Sequence, residues 1–216
     1  MLRRCVFITG ATGYIGRALI PALLARGHSV RALARTASAH LVPVGAAIVE
    51  GDALKPSTFA SAIAPADTLV HLIGTPHPNP SKAASFKAVD LRSVDAALSA
   101  ARNAHVRHFV YLSVAQPAPV MRAYIEARHA GEARIRASGI PATILRPWYV
   151  LGPGHWWPYL LMPAYAILAL LPPTRGIAQR LGLVTLGQMV SALVASIERE
   201  PAGVRVLNVS NIRDAR

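Results

Sequence analysis

The sequence predicts an α/β fold: a doubly wound parallel sheet with helices on both faces and a small C-terminal cap. Three observations predict it. Short apolar runs alternate with amphipathic stretches along most of the chain, as in βαβ units. The run Thr68-Leu69-Val70-His71-Leu72-Ile73 is almost wholly apolar, as a parallel strand buried on both faces should be. The first strand ends at a triplet of glycines, Gly10, Gly13 and Gly16, and a helix begins there.

Strand one covers about Arg4 to Thr9, and helix one about Ile15 to Arg26 with Ala18, Leu19, Leu23 and Leu24 on its apolar face. Between them Thr9-Gly10-Ala11-Thr12-Gly13-Tyr14-Ile15-Gly16 reads as a tight turn. Gly10 allows the turn, Gly13 lets backbone approach a pyrophosphate, and Gly16 lets the helix pack closely on the strand. The free N–H groups of the helix N-terminus, favoured by its dipole, would hold the phosphates. Dinucleotide binding follows, with a plain glycine-rich turn as the bland alternative. Gly27 stops the helix. Strand two is Ser29 to Ala34. An acidic residue at its end would bond a ribose 2′-hydroxyl, and a basic one would accept a 2′-phosphate. Arg35 stands there, and no Asp or Glu precedes Glu50. NADP(H) is therefore expected in preference to NAD(H), with Arg31 and Arg17 as further positive charge; the bland alternative is that Arg31 and Arg35 are solvated surface charges.

Ala47 to Glu50 is strand three, and a short helix is expected over Pro56 to Ile63. Asp52 is either a site residue or a turn residue. Strand four ends near Gly74-Thr75, where a glycine lets backbone approach a cofactor. Pro76-His77-Pro78-Asn79-Pro80 can only be a loop. His77 either touches substrate there or is a loop histidine in solvent. A long helix follows from Ser81 to Ala104, with Phe86, Val89, Val94 and Leu98 inward. Strand five is His108 to Ser113. His105 and His108 have no carboxylate or cysteine nearby, so no metal site is expected. A helix then runs through Tyr124-Ile125-Glu126-Ala127-Arg128 to a stop at Gly139, and strand six ends at Pro147. A helix over Leu186 to Glu198 and a strand over Val204 to Val209 close the chain.

The glycine spacing Gly-x-x-Gly-x-x-Gly resembles the fingerprint of the short-chain dehydrogenase/reductase superfamily, especially its extended and atypical branches. The run Ile135 to Gly154, with Arg146-Pro147 after strand six, resembles the segment of atypical members similar to the nucleotide-binding accessory subunit of respiratory complex I and to nitrogen-regulator-like proteins. The resemblance covers about residues 4 to 154 and implies a Rossmann-type domain. It implies that Asp52 and Ala53 lie by the adenine, Leu72 and Gly74 by the nicotinamide half, and Arg146 and Pro147 near the cofactor. It also implies a catalytic set: a tyrosine acid/base, a lysine four residues on, and a Ser or Thr after strand five. Tyr124 and Ser113 match two of these. The i, i+4 spacing puts Tyr124 and Arg128 on one helix face. Arg128 replaces the lysine, and an arginine cannot shuttle a proton. Val114 occupies the position where extended members usually carry the active serine.

Composition bounds the remaining choices. The 216 residues form one domain, with 148–216 contributing the cap. With 53% hydrophobic and 15% charged residues the chain is not disordered. The net charge of +13 is mostly scattered arginine. Without a basic run interleaved with aromatics, it favours anionic cofactors or surfaces over nucleic acid. The single cysteine, Cys5, excludes an internal disulfide and fits a reducing, cytoplasmic compartment as an inert thiol. No signal peptide is expected, because Gly10, Gly13 and Gly16 interrupt the apolar stretch. Trp156 to Pro173 is apolar and uncharged, but Pro158 and Pro163 break it, so it makes a poor transmembrane helix. It is the wall of an apolar substrate pocket, a peripheral contact with a membrane or protein partner, or ordinary core.

Two functions follow as expectations. One is an NADP(H)-dependent oxidoreductase acting on an apolar carbonyl or quinone-like substrate. The other is a non-catalytic NADPH-binding sensor or accessory subunit of a membrane-associated complex. The short tail argues against a sugar-nucleotide epimerase or dehydratase.

Overall fold

The computed structural model describes residues 3–75, 79–118, 121–153 and 180–215. His77 and the apolar segment 156–173 lie outside them. A seven-stranded sheet forms the centre. Its strands are β1 (Cys5–Thr9), β2 (Ser29–Ala34), β3 (Ala47–Glu50), β4 (Thr68–His71), β5 (His108–Leu112), β6 (Ala142–Leu145) and a late strand, β9 (Val204–Leu207). They lie in the order β3-β2-β1-β4-β5-β6-β9, and every pair is parallel.

Side chains alternate between two cores because successive residues of a strand face opposite ways. Val6 and Ile8 enter one core with Val70 and Val110. It is closed by Leu19 and Leu23 of α1 (Tyr14–Ala25) and by Met189, Leu193 and Ile197 of α5 (Leu186–Glu198). Phe7 enters the other with Leu69, Phe109 and Tyr111. This one is closed by Val94 and Ala101 of α3 (Arg92–Asn103) and Ile135 of α4 (Arg122–Ala137). Both faces of the inner strands are covered, so their uninterrupted apolar runs are what the burial requires.

The predicted strands two and three and the predicted helix 186–198 have their observed limits. Four features differ from the expectation. The helix predicted over 56–63 is two short 3₁₀ turns, Pro56–Thr58 and Ala60–Ala62. The long helix predicted from 81 to 104 has three parts: a short α2 (Ala83–Ser85), a π turn (Phe86–Leu91) and α3. A second sheet pairs β7 (Tyr149–Leu151) with β8 (Leu183–Thr185). A terminal helix, α6 (Val209–Asp214), follows β9. Among the described residues of 148–215, α5 and β9 belong to the main layers, and the β7–β8 pair stands apart from the main sheet.

Candidate functional site

The site begins where β1 stops. Gly10 has φ of +79°, and the Gly13 N–H donates to the Gly10 carbonyl at 3.1 Å. A side chain on Gly16 would put its Cβ 2.4 Å from the Gly10 oxygen. One on Gly10 would come within 2.9 Å of the Leu72 carbonyl carbon, where the Leu72 N–H bonds the Thr9 oxygen at 3.0 Å. The turn thus wedges between α1 and the end of β4. That junction is where the strand order reverses, the place where open α/β sheets bind ligands. Gly13 caps α1 without a side-chain hydrogen bond, and no acidic residue occupies the first turn. The first N–H groups of α1 are left for an anion. Glycine at these positions and the uncapped helix end fit a dinucleotide pyrophosphate. Thr12, Tyr14 and Ile15 are half-buried along this turn, whereas the Thr9 hydroxyl turns inward to His71 Nδ1 at 2.8 Å.

The far end of that junction carries mixed charge. Arg35 is exposed immediately after β2, and Arg17 is exposed on α1. Arg31 is held back, its Nε donating to the Ala62 carbonyl at 2.8 Å. Glu50, the register partner of Ala34, accepts from the Thr36 hydroxyl at 2.7 Å, so one carboxylate sits beside the end of β2. Asp52 makes a turn, its Oδ1 accepting from the Leu54 N–H at 3.0 Å, and Ala53 is half-buried beside it.

At the other end, the structure brings Tyr124 and Arg128 together as the helical spacing predicts. Tyr124 lies in the first turn of α4, its ring 5.1 Å from that of Phe86. The Arg128 guanidinium is buried 5.2 Å from the Tyr124 ring centre and 5.8 Å from that of Tyr111. Its Nη1 donates to the carbonyls of Ile73 (3.1 Å) and Leu112 (3.0 Å), and its Nη2 pairs with Asp90 Oδ1 at 2.8 Å. Burial alone would lower its pKa, but Tyr124, Tyr111 and Asp90 raise it further, so it is a permanent cation. Asp90 also accepts from the Thr75 backbone and hydroxyl.

Ser113 does not join this pair. Its hydroxyl donates to Glu132 Oε1 at 2.6 Å. Glu132 is fully buried and held by Arg146 through two bonds, by Arg136 and by Gln116. Burial would raise its pKa; the hydrogen bonds from Arg146, Ser113 and Arg136 outweigh that and hold it below the usual carboxylate value. Ser113 therefore has lone pairs to offer but its proton is engaged. Arg146 is tied to Glu132, and Pro147, Val114 and Ser113 are all buried. Leu72 and Gly74 are half-buried at the end of β4.

Asp90, Glu132 and His71 were not read from the sequence as site residues. Asp90 is the only acidic residue between Asp67 and Asp95, four positions from both Phe86 and Val94 on an apolar helix face. A carboxylate there needs a buried partner. Glu132 continues the i, i+4 series Tyr124, Arg128, Glu132, Arg136. His71 bridges the Thr9 and Ser93 hydroxyls, and burial, with Arg128 adding to it, pushes its pKa down to about 3.

A protein-family model described as NAD(P)H-binding matches residues 10–153. The chain is 31% identical to a 3-diazoavenalumate denitrifying reductase from a Streptomyces species, over 92% of this chain and 73% of that one. It is 32% identical to a ceramide reductase from Caulobacter vibrioides over 70% of this chain, and spans about half (48%) of that relative's length. Among solved structures it is similar to Bordetella bronchiseptica WbmH in complex with NAD+, with a TM-score of 0.71 at 20% identity, covering 95% of this chain and 75% of that one. That likeness concerns the fold alone. No described helix is long and apolar enough to cross a membrane. With the glycine cradle at the sheet's switch point and a family match over most of its length, the chain belongs to the NAD(P)H-binding family, in the atypical short-chain dehydrogenase/reductase group.

Proposed function

We propose that the chain is an NADP(H)-dependent oxidoreductase acting on an apolar carbonyl or quinone-like substrate in the cytoplasm. The observation that carries this is the Tyr124 ring held on the Arg128 cation at the ends of β4 and β5, across the sheet's switch point from the glycine cradle. A bound nicotinamide would supply the hydride. The turn built on Gly10, Gly13 and Gly16 would hold the pyrophosphate on its free N–H groups, and Arg35 would face a 2′-phosphate. Tyr124 gives its phenolic proton to the oxygen of the reduced carbonyl. Arg128 keeps a fixed positive charge beneath that tyrosine without giving up a proton. Ser113, its own proton engaged by Glu132, would accept a hydrogen bond from the hydroxyl of the reduced product. Both relatives named above carry the name reductase, one of a ceramide, which supports reduction of an apolar substrate. The segment 156–173 would wall that substrate's pocket or meet a membrane or protein partner.

A second reading is a protein that holds NADPH without turnover. The engagement of every Arg128 Nη group and of the Ser113 proton favours it. Absorbance assays at 340 nm with a panel of carbonyls and quinones separate the two. Under the first reading Tyr124→Phe lowers kcat about 100-fold or more while NADPH affinity is kept. Turnover unchanged in Tyr124→Phe contradicts the assigned role. A panel without turnover, with NADPH bound tightly, replaces the first reading with the second.

A further inference from the structure

We infer that Gly74, Asp90 and Arg128 form one buried positioning unit for Tyr124, in which residue 74 is glycine to admit the Arg128 guanidinium. Four observations converge on it. A Cβ built on Gly74 would lie 2.0 Å from Arg128 Nη2 and 3.2 Å from its Cζ, so any other residue there collides with the guanidinium. The same Nη2 bonds Asp90 at 2.8 Å, and Asp90 is 1% exposed. Asp90 belongs to the π turn Phe86–Leu91, whose first residue, Phe86, packs against the Tyr124 ring at 5.1 Å. One irregular turn of helix thus carries both the counter-charge of Arg128 and a wall for Tyr124; π turns are rare and recur at functional sites. Finally, Asp90 takes two hydrogen bonds from Thr75, next to Gly74, so the end of β4 is clamped to the π turn.

The geometry gives Gly74 a steric reason that needs no cofactor. It gives Arg128 a task other than that of a proton-shuttling lysine. Its guanidinium lies against the ring face of Tyr124, a cation–π contact, while Nη1 ties together the backbone ends of β4 and β5. Arg128 is a positioning residue: it sets where the Tyr124 ring stands. The inference leans on the proposed reaction only in giving that placement a catalytic purpose.

The test is a double-substitution cycle of Gly74→Ala and Arg128→Lys, read as thermal unfolding of the full chain. Gly74→Ala should lower Tm by roughly 4–8 °C through overpacking. Arg128→Lys shortens the side chain, removes Nη2 from the space the new methyl needs and keeps a cation beside Asp90. The double variant should therefore regain most of the loss caused by Gly74→Ala. Losses that simply add would overturn the steric link between residues 74 and 128. For the positional role, the readout is the split between kcat and KM with a substrate found in the panel above. Arg128→Lys should lower kcat at least about tenfold and leave KM for NADPH within about twofold. An unchanged kcat in the folded variant overturns the positioning role. Should wild type turn nothing over, the proposed reaction fails, while the unfolding cycle still decides the inference.

Discussion

His71 and His108 are buried in strands, and each gives up its charge to be there. His108 is 3% exposed and its Nε2 pairs with the Thr143 hydroxyl at 3.0 Å. Burial first, then the charges of Arg4 and Arg205, push its pKa down from 6.5 to about 4. His71 is shifted the same way, to about 3. Each binds a proton more readily in the unfolded chain than in the folded one. The stability they contribute is complete above about pH 6.5 and is lost as pH falls through 6.5 towards 4. Glu132, whose folded pKa is depressed, adds to the loss at lower pH. Tm should therefore decline on acidification across that window. His108→Gln, which retains a side-chain partner for Thr143 without a titrating ring, should flatten the decline relative to its own neutral-pH Tm. An acid limb of unchanged steepness in His108→Gln would assign the sensitivity elsewhere.

At the scale of elements, the contact between α1 and the turn after β1 has least tolerance. Gly16→Ala places a methyl 2.4 Å from the Gly10 oxygen, against backbone that cannot rotate away. The cost should be at least about 2 kcal/mol, a Tm loss on the order of 5 °C, and NADPH affinity should fall with it because the cradle must open. Differential scanning fluorimetry with and without NADPH checks both, and wild-type behaviour would contradict the close packing. The capping box of α5 is a milder case. Thr185 accepts from the Gln188 N–H at 3.2 Å, so Thr185→Ala should cost about 1 kcal/mol in a urea titration without touching nucleotide binding. The elements legible in the sequence were those bounded by glycine. The strand Ala47–Glu50 is followed by Gly51, and α1, whose last residue is Ala25, is followed by Gly27 with φ of +81°. The β7–β8 pair was not legible, because each strand has three residues and its partner lies across a long insertion. The π turn was not legible either, since Phe86, Val89 and Val94 fit an ordinary helical stripe equally well.

For the whole molecule, fold and cofactor class were readable because one short stretch, Thr9 to Gly16, must satisfy turn geometry, helix packing and anion binding together. Few sequences meet all three by chance. The reaction end was less readable. Tyr124 and Arg128 are neighbours by spacing alone, but their partners Asp90, Tyr111 and Gly74 come from three other elements that only the folded sheet brings together. Ser113 shows the opposite case, a residue at the expected place whose proton the fold directs to Glu132. Cofactor preference depends likewise on two strands meeting: Arg35 stands alone in sequence, while the register of β2 and β3 brings Glu50 beside its turn. The most direct test of the account is calorimetric titration of the full chain with NADPH and NADH, in wild type and in Arg35→Ala. Both nucleotides should bind wild type, NADPH the tighter, and Arg35→Ala should lose about tenfold in NADPH affinity while NADH affinity holds. Folded protein that binds neither nucleotide would contradict the assignment of the glycine cradle itself.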